Sequence, residues 1–438
     1  MANQNKRKIS ISTIVYILFL STVIYFVFYH PDLKRKTTPP SLAWQRTFGG
    51  TEPDRLATIQ KTSDGGYIAA GLTYSRNGDV KKNQGDSDIW IVKFNQQGIL
   101  EWQKTFGGNG FDSATSIQET SDGGLIIAAT GESEEGNACI FKLDSAGNLE
   151  WQKTFGGSEI EDSFLIRETS NGEFLTVGSS YSNDGDVAEN HGESDIWIIK
   201  LDPQGNILWT KSLGGAGSDI ASSLLVNSDQ EFIIAGYSYS NNADVSGNHG
   251  SSDAWIVKMD ALGNIQWQKS FGGSDKDFAN SIQETSDGGF IVAGNTLSSD
   301  GDVSKNQGKS DIWVFKLDPQ GNLSWQKTFG GSDEDEAKSI QVTPDGGFVV
   351  AGMSRSQDGD VTQNFGDYDY WLLKLDSQGD LEWQKSYGGS GSDEANSLLV
   401  TADGGFIIAG ESNSKDGDIT QNNGDDDFWI IKLDGEET

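Results

Sequence analysis

The stretch Asp311–Gly331, DIWVFKLDPQGNLSWQKTFGG, decides how this chain is read. It predicts two strands joined by a tight turn. A near-continuous apolar run, Asp311 to Leu317, suits a strand buried on both faces. Pro319 presets φ, and Gly321 is free to turn left-handed. A second strand, Leu323 to Phe329, follows. The closing tryptophan of this unit recurs at Trp44, Trp102, Trp151, Trp209, Trp267, Trp325 and Trp383, at spacings of 58, 49, 58, 58, 58 and 58 residues. A fixed period of that size is the mark of a repeat architecture.

Upstream of Asp311, the same unit holds two more strands, Ala279 to Glu284 and Phe290 to Gly294. They flank Ser286-Asp287-Gly288-Gly289, which reads as a type I′ hairpin turn. Asp64-Gly65, Asp122-Gly123, Asn171-Gly172, Asp345-Gly346 and Asp403-Gly404 are equivalent, and Asp229-Gln230 departs. Four antiparallel strands repeated seven times predict an all-β, seven-bladed β-propeller over residues 41–438, each blade burying both faces against its neighbours. The chain ends favour a ring over a solenoid. The repeat region opens on a lone fourth strand, Leu42 to Phe48, and closes on a lone third strand, 428–433. Pairing these two would complete one blade and hide two open edges.

All thirteen tryptophans occupy two repeat positions. Seven lie in the fourth strand, and six lie in the third at Trp90, Trp197, Trp255, Trp313, Trp371 and Trp429. Cys139 fills that third-strand position in the second unit. Packing between blades is the expected use of these rings. A single cysteine excludes an intramolecular disulfide.

Ile9 to Tyr29 is free of charge over 21 residues, long enough for a helix to span a ~30 Å hydrocarbon core. With 1–8 as a short tail and 30–40 as a Pro-stiffened stalk, it is expected to be an uncleaved, single-pass signal anchor. The propeller is then expected outside the cytoplasm, in the periplasm or on the cell surface.

The chain carries a net charge of −33, of which Lys6, Arg7, Lys8, Lys34, Arg35, Lys36 and Asp32 contribute +5, leaving −38 for the remainder. A domain so acidic repels nucleic acid and anionic lipid.

Two acidic constellations recur. A carboxylate stands four residues after each Gly-Gly pair, at Asp54, Asp112, Glu161, Asp219, Asp277, Asp335 and Asp393. These seven are expected to ring the mouth of a central channel and hold a cation or cationic ligand, or else to bond to their own loops. The second constellation is the loop S-D-G-D-V-x-x-N-x-G-x-S-D, in copies such as Asn77–Asp88, Asp300–Asp311 and Asp358–Asp369. Its oxygens, typified by Asp300, Asp302, Asn306, Asp358, Asp360 and Asn364, are candidate Ca²⁺ ligands. Unit two has only Thr130 to Gly136 in its place.

Signals for catalysis are poor. His30, His191 and His249 are the three histidines; the last two share a repeat position in a loop. Gly308-Lys309-Ser310 lacks the earlier glycine of a P-loop, with Val303 standing there.

The segments SDGGFIVAG, DGDV, SDIWVFKLD and GNLSWQKTFGG resemble the repeats of largely uncharacterised bacterial surface propellers of the Bacteroidetes type, over nearly all of 41–438. The hairpin Asp318-x-x-Gly321-x-x-x-Trp325 resembles the Trp-docking hairpin of quinoprotein-like propellers. These resemblances imply a propeller fold. The expected function is a membrane-anchored module that binds or scaffolds a protein or glycan. Alternatives are an enzyme with an axial quinone- or metal-dependent site, and a calcium-stabilised structural surface protein.

Overall fold

A computed structural model describes residues 38–131, 136–187 and 189–435. The expected anchor helix at 9–29 and most of the stalk lie outside the described residues. Among the described residues no helix is long and apolar enough to cross a membrane.

The described chain forms seven four-stranded antiparallel sheets. Blade 1 pairs Asp54–Lys61, Tyr67–Thr73, Asp88–Phe94 and Leu100–Phe106 in that order. Blades 2 to 6 repeat the pattern, with inner strands Ser113–Glu119, Glu161–Glu168, Asp219–Val226, Asp277–Glu284 and Asp335–Val342. The seventh sheet is Asp393–Val400, Phe406–Ser412 and Asp427–Leu433, with Leu42–Phe48 antiparallel to the last and in register at Gln45↔Ile431 and Phe48↔Phe428.

The core lies between blades. Ile291, Ala293, Ile312 and Val314 of blade 5 pack on Ala337, Ile340, Phe348 and Trp371 of blade 6. Second and third strands are buried along their whole length in most blades, as a continuous apolar run requires. Third-strand tryptophans fill these seams, and five of them donate Nε1–H to the glutamine after the fourth-strand tryptophan, as from Trp313 to Gln326 at 3.2 Å. Cys139 is buried at the equivalent position, its thiol 3.4 Å from the Gly131 carbonyl.

Fourth-strand tryptophans work differently. Each of six lies flat against the hairpin glycine of the following blade: a Cβ on Gly321 would sit 3.0 Å from the Trp267 ring, and one on Gly379 2.6 Å from Trp325. Both glycines have positive φ, 76° and 78°. The bare glycine is therefore needed twice over, for the turn and for the contact.

The Asp-Gly hairpin is not the type I′ turn expected. Gly288 donates to the Thr285 carbonyl and Thr285 to the Gly289 carbonyl. Only the glycine of each pair has positive φ. That geometry is a type I turn followed by a left-handed residue. Asp287 stays right-handed because its carboxylate accepts from Thr285 Oγ1 and Gly289 N. Gln230, standing where the other blades have glycine, is forced to φ 62°.

Candidate functional site

Two features of the fold collect polar chemistry, the loop face and the axial channel. The loop face is built from the connections between blades and from the long loops joining second to third strands. Four N–H groups after the fourth strand have no strand partner, and in six of the seven connections side chains supply all four acceptors. In blade 5, Gly273 N donates to Asp277 Oδ2 at 2.8 Å, Ser274 N to Asp300 Oδ1 at 2.7 Å, Asp275 N to Ser298 Oγ at 3.0 Å and Gly272 N to Asp302 Oδ2 at 3.3 Å. Blade 6 repeats the set with Asp335, Asp358, Ser356 and Asp360.

The seven carboxylates Asp54, Asp112, Glu161, Asp219, Asp277, Asp335 and Asp393 are thus buried beneath the loops they cap. They are not among the residues that line the axial cavity. The calcium candidates are likewise spread over separate duties. Asp300 and Asp358 hold one N–H, Asp302 and Asp360 another, and Asn306 and Asn364 reach the carbonyls of Thr296 and Ser354 at 3.2 and 2.9 Å. Among the described residues no three His, Cys, Asp or Glu side chains gather as a metal centre. His191 and His249 serve the aspartates that open the next strands: Nδ1 lies 2.5 and 2.6 Å from Oδ2 of Asp195 and Asp253, which also accepts the histidine's own backbone N–H.

Sequence reasoning missed the partner of each capping carboxylate. The aspartate opening each long third strand is also buried, and it faces the capping carboxylate of the next blade across a glycine. A Cβ on Gly330 would lie 2.5 Å from Asp311 Oδ1 and 2.8 Å from Asp335 Oδ2. Asp311 Oδ2 takes the Gln307 N–H at 2.9 Å, while Oδ1 has no hydrogen-bond partner among the described residues. Burial, and then the neighbouring carboxylates, push Asp311 up to about 6 and Asp369 and Asp427 up to about 7. Two aspartates 24 residues apart in a 58-residue repeat (Asp311 and Asp335, for instance) were visible as recurrent letters. Their proximity across a blade junction was not.

The loop face also carries exposed apolar side chains, among them Phe111, Ile160, Tyr181, Tyr239 and Phe365. Between blades 1 and 2 it forms a cleft of about 570 Å³ whose walls include Glu52, Tyr74, Arg76, Asp86 and Phe111. Phe111 is 51% exposed there.

The axial channel opens on the same face. Its mouth, about 440 Å³, is bordered by Arg55, Leu72, Asn280, Lys338, Asn396 and Glu411. Arg55 lies 3.3 Å from Asp426 and 4.0 Å from Glu411. Burial, then Glu394 and Asp426, raise Glu411 to about 8. Arg55, Lys338 and Glu411 stand at channel-facing positions that vary from blade to blade within an otherwise regular repeat, and that variability was the signal available in the sequence.

No protein-family model matches the chain. It is 25% identical over 223 residues to the regulatory protein FlaEY of Caulobacter vibrioides, over 47% of this chain and 23% of that protein. The match thus spans about a quarter of the relative's length. Among solved structures, the Pan2 WD40 domain of Neurospora crassa aligns at TM-score 0.49 and 12% identity over 86% of this chain and 89% of that one. Sqt1 of Chaetomium thermophilum aligns at 0.46 and 11% over 91% and 100%. A protein of unknown function from Dyadobacter fermentans aligns at 0.43 and 10% over 90% and 99%. The propeller assignment itself stands on strand order and pairing.

Proposed function

We propose that the protein is a membrane-tethered, extracytoplasmic binding module that takes a protein partner on the loop face, with the pairing of 42–48 and 427–433 closing the ring that supports it. The observation that carries this reading is the cleft beside Phe111. A half-exposed aromatic ring next to Tyr74, with Glu52, Asp86 and Arg76 on the wall, offers an apolar anchor inside a charged border in which acids outnumber bases two to one. Aromatic anchors in partly desolvated pockets carry most of the energy of protein association. The acidic border selects a partner segment that pairs a basic side chain with an apolar one. The capping carboxylates serve this face by holding its loops still, which lowers the ordering cost of association.

Crosslinking and pull-down of the full-length chain from native membranes tests the reading. Phe111→Ser with Tyr74→Ser is expected to lose the captured protein while leaving thermal unfolding unchanged. An unchanged set of captured proteins, or capture of glycans alone, would remove the protein-docking assignment. Protease access to the propeller in sealed membranes checks the orientation. A Ca²⁺ titration checks the loop oxygens Asp300, Asp302, Asn306, Asp358, Asp360 and Asn364 separately, through a rise in melting temperature.

A further inference from the structure

Within a chain of net charge −33, the inner part of the axial channel has the opposite character. This cavity, about 220 Å³, is continuous with the mouth through Ala57, Ser222, Asn280, Lys338 and Asn396. Its charged lining residues are Arg167 and Lys338, and no carboxylate lines it. Lys338 is held by Glu336 at 2.7 Å. Arg167 is not held by any acid among the described residues. Its Nη1 donates to Ser116 Oγ at 3.2 Å and to the Ile166 carbonyl at 2.8 Å. The equivalent positions in blades 1, 2, 5 and 6 are Gln60, Gln118, Gln283 and Gln341, so the fold does not require a cation there.

We propose that this channel binds a small hydroxylated anion, a sugar phosphate or sugar acid in chemical class, with Arg167 pairing to the anionic group. An enclosed guanidinium with unused donors is a planar fork suited to carboxylate or phosphate. The walls add further donors. Ser116, Ser223, Ser281 and Ser397 each accept a backbone N–H from a neighbouring blade at 3.2 to 3.4 Å. With the oxygen serving as acceptor, each O–H is left to donate toward the axis. A ring of hydroxyl donors around an unpaired cation complements an anion that carries hydroxyls. The size falls just below the about 300–1,000 Å³ of drug-sized pockets, which sets the ligand at small-metabolite scale.

The test uses the full-length chain in detergent with glucose 6-phosphate, glucuronate, inorganic phosphate and glucose, by calorimetric titration and thermal shift. Glucose 6-phosphate or glucuronate is expected to bind and to raise the melting temperature, inorganic phosphate more weakly, and glucose not at all. Arg167→Gln installs the residue of four sister blades and is expected to fold; it should weaken binding at least tenfold. Arg167→Lys keeps the charge without the fork and should fall between the two, and it stands as the folding-safe comparison. Binding of none of the three anions, equal binding by Arg167→Gln, or glucose binding as well as glucose 6-phosphate would each overturn the proposal.

Discussion

Trp197 lacks what its sister residues have. Its indole nitrogen is buried without an acceptor among the described residues, because Thr210 replaces the glutamine that receives this proton in five other blades. A buried donor left unpaired costs about 1–3 kcal/mol. Thr210→Gln should therefore stabilise the protein by about 1 kcal/mol in chemical denaturation, and a neutral or negative effect would show that the indole is already satisfied by solvent. Gly321 tests the other tryptophan contact. Gly321→Ala meets both a positive φ and the Trp267 ring, whereas Gly404→Ala meets the positive φ with nothing within 4 Å. The first substitution should cost more than the second by about 1 kcal/mol or more. Equal costs would mean that the ring does not hold the hairpin.

At the scale of the element, Leu42–Phe48 belongs in space to the end of the chain. Asp434 N donates to the Ser41 carbonyl at 2.9 Å, and Leu433 stands opposite Leu42. A permuted chain that starts at Gly49 and runs from Leu433 through a Asp-Pro-Gln-Gly-Asn turn into the Leu42–Phe48 sequence reproduces the hairpin of blade 5. It should unfold within a few degrees of the parent protein and remain monomeric by light scattering. Removing 42–48 without replacement exposes an unpaired edge, and concentration-dependent association is expected. A monomeric deletion variant with unchanged stability would dismiss the strand as the closing element.

For the whole molecule, the buried carboxylates make stability depend on pH. Asp54, Asp219 and Asp311 are pushed up to about 6, and Asp369 and Asp427 to about 7, each foremost by burial. Their folded-state pKa values exceed the unfolded one near 3.8. The folded state therefore binds more protons between about pH 4 and 7, and stability rises as pH falls through that window. Asp64 and Asp287, drawn down to about 2 mainly by Lys93 and by Thr285 with Lys316, act in the opposite sense. Their contribution is complete above pH 4 and is lost below it. Melting temperature should thus climb from pH 8 to about 5 and fall again below 4. Asp369→Asn should stabilise by about 1–2 kcal/mol at pH 8 and have little effect at pH 5. A melting temperature that is flat or falling from pH 8 to 5 would contradict the pairing of buried acids.

By itself the sequence determined the period, the strand content, the seven blades and the two tryptophan positions. Each of these is a property of one repeat, set by local side-chain periodicity and turn chemistry, and copying the repeat copies the answer. Strand limits such as Asp311–Leu317 and Leu323–Phe329 were legible for that reason. Only the tertiary structure decided where the charges point. The capping carboxylates turn under their loops because orphan N–H groups lie there, and their partners come from the adjacent blade, 24 residues away in the chain. The channel's character rests on Arg167, a departure from the glutamine of four sister blades, and on Lys338, at a position that varies from blade to blade. Which residue of an inner strand faces the axis depends on a bulge and on the neighbouring sheet, and a linear pattern carries neither.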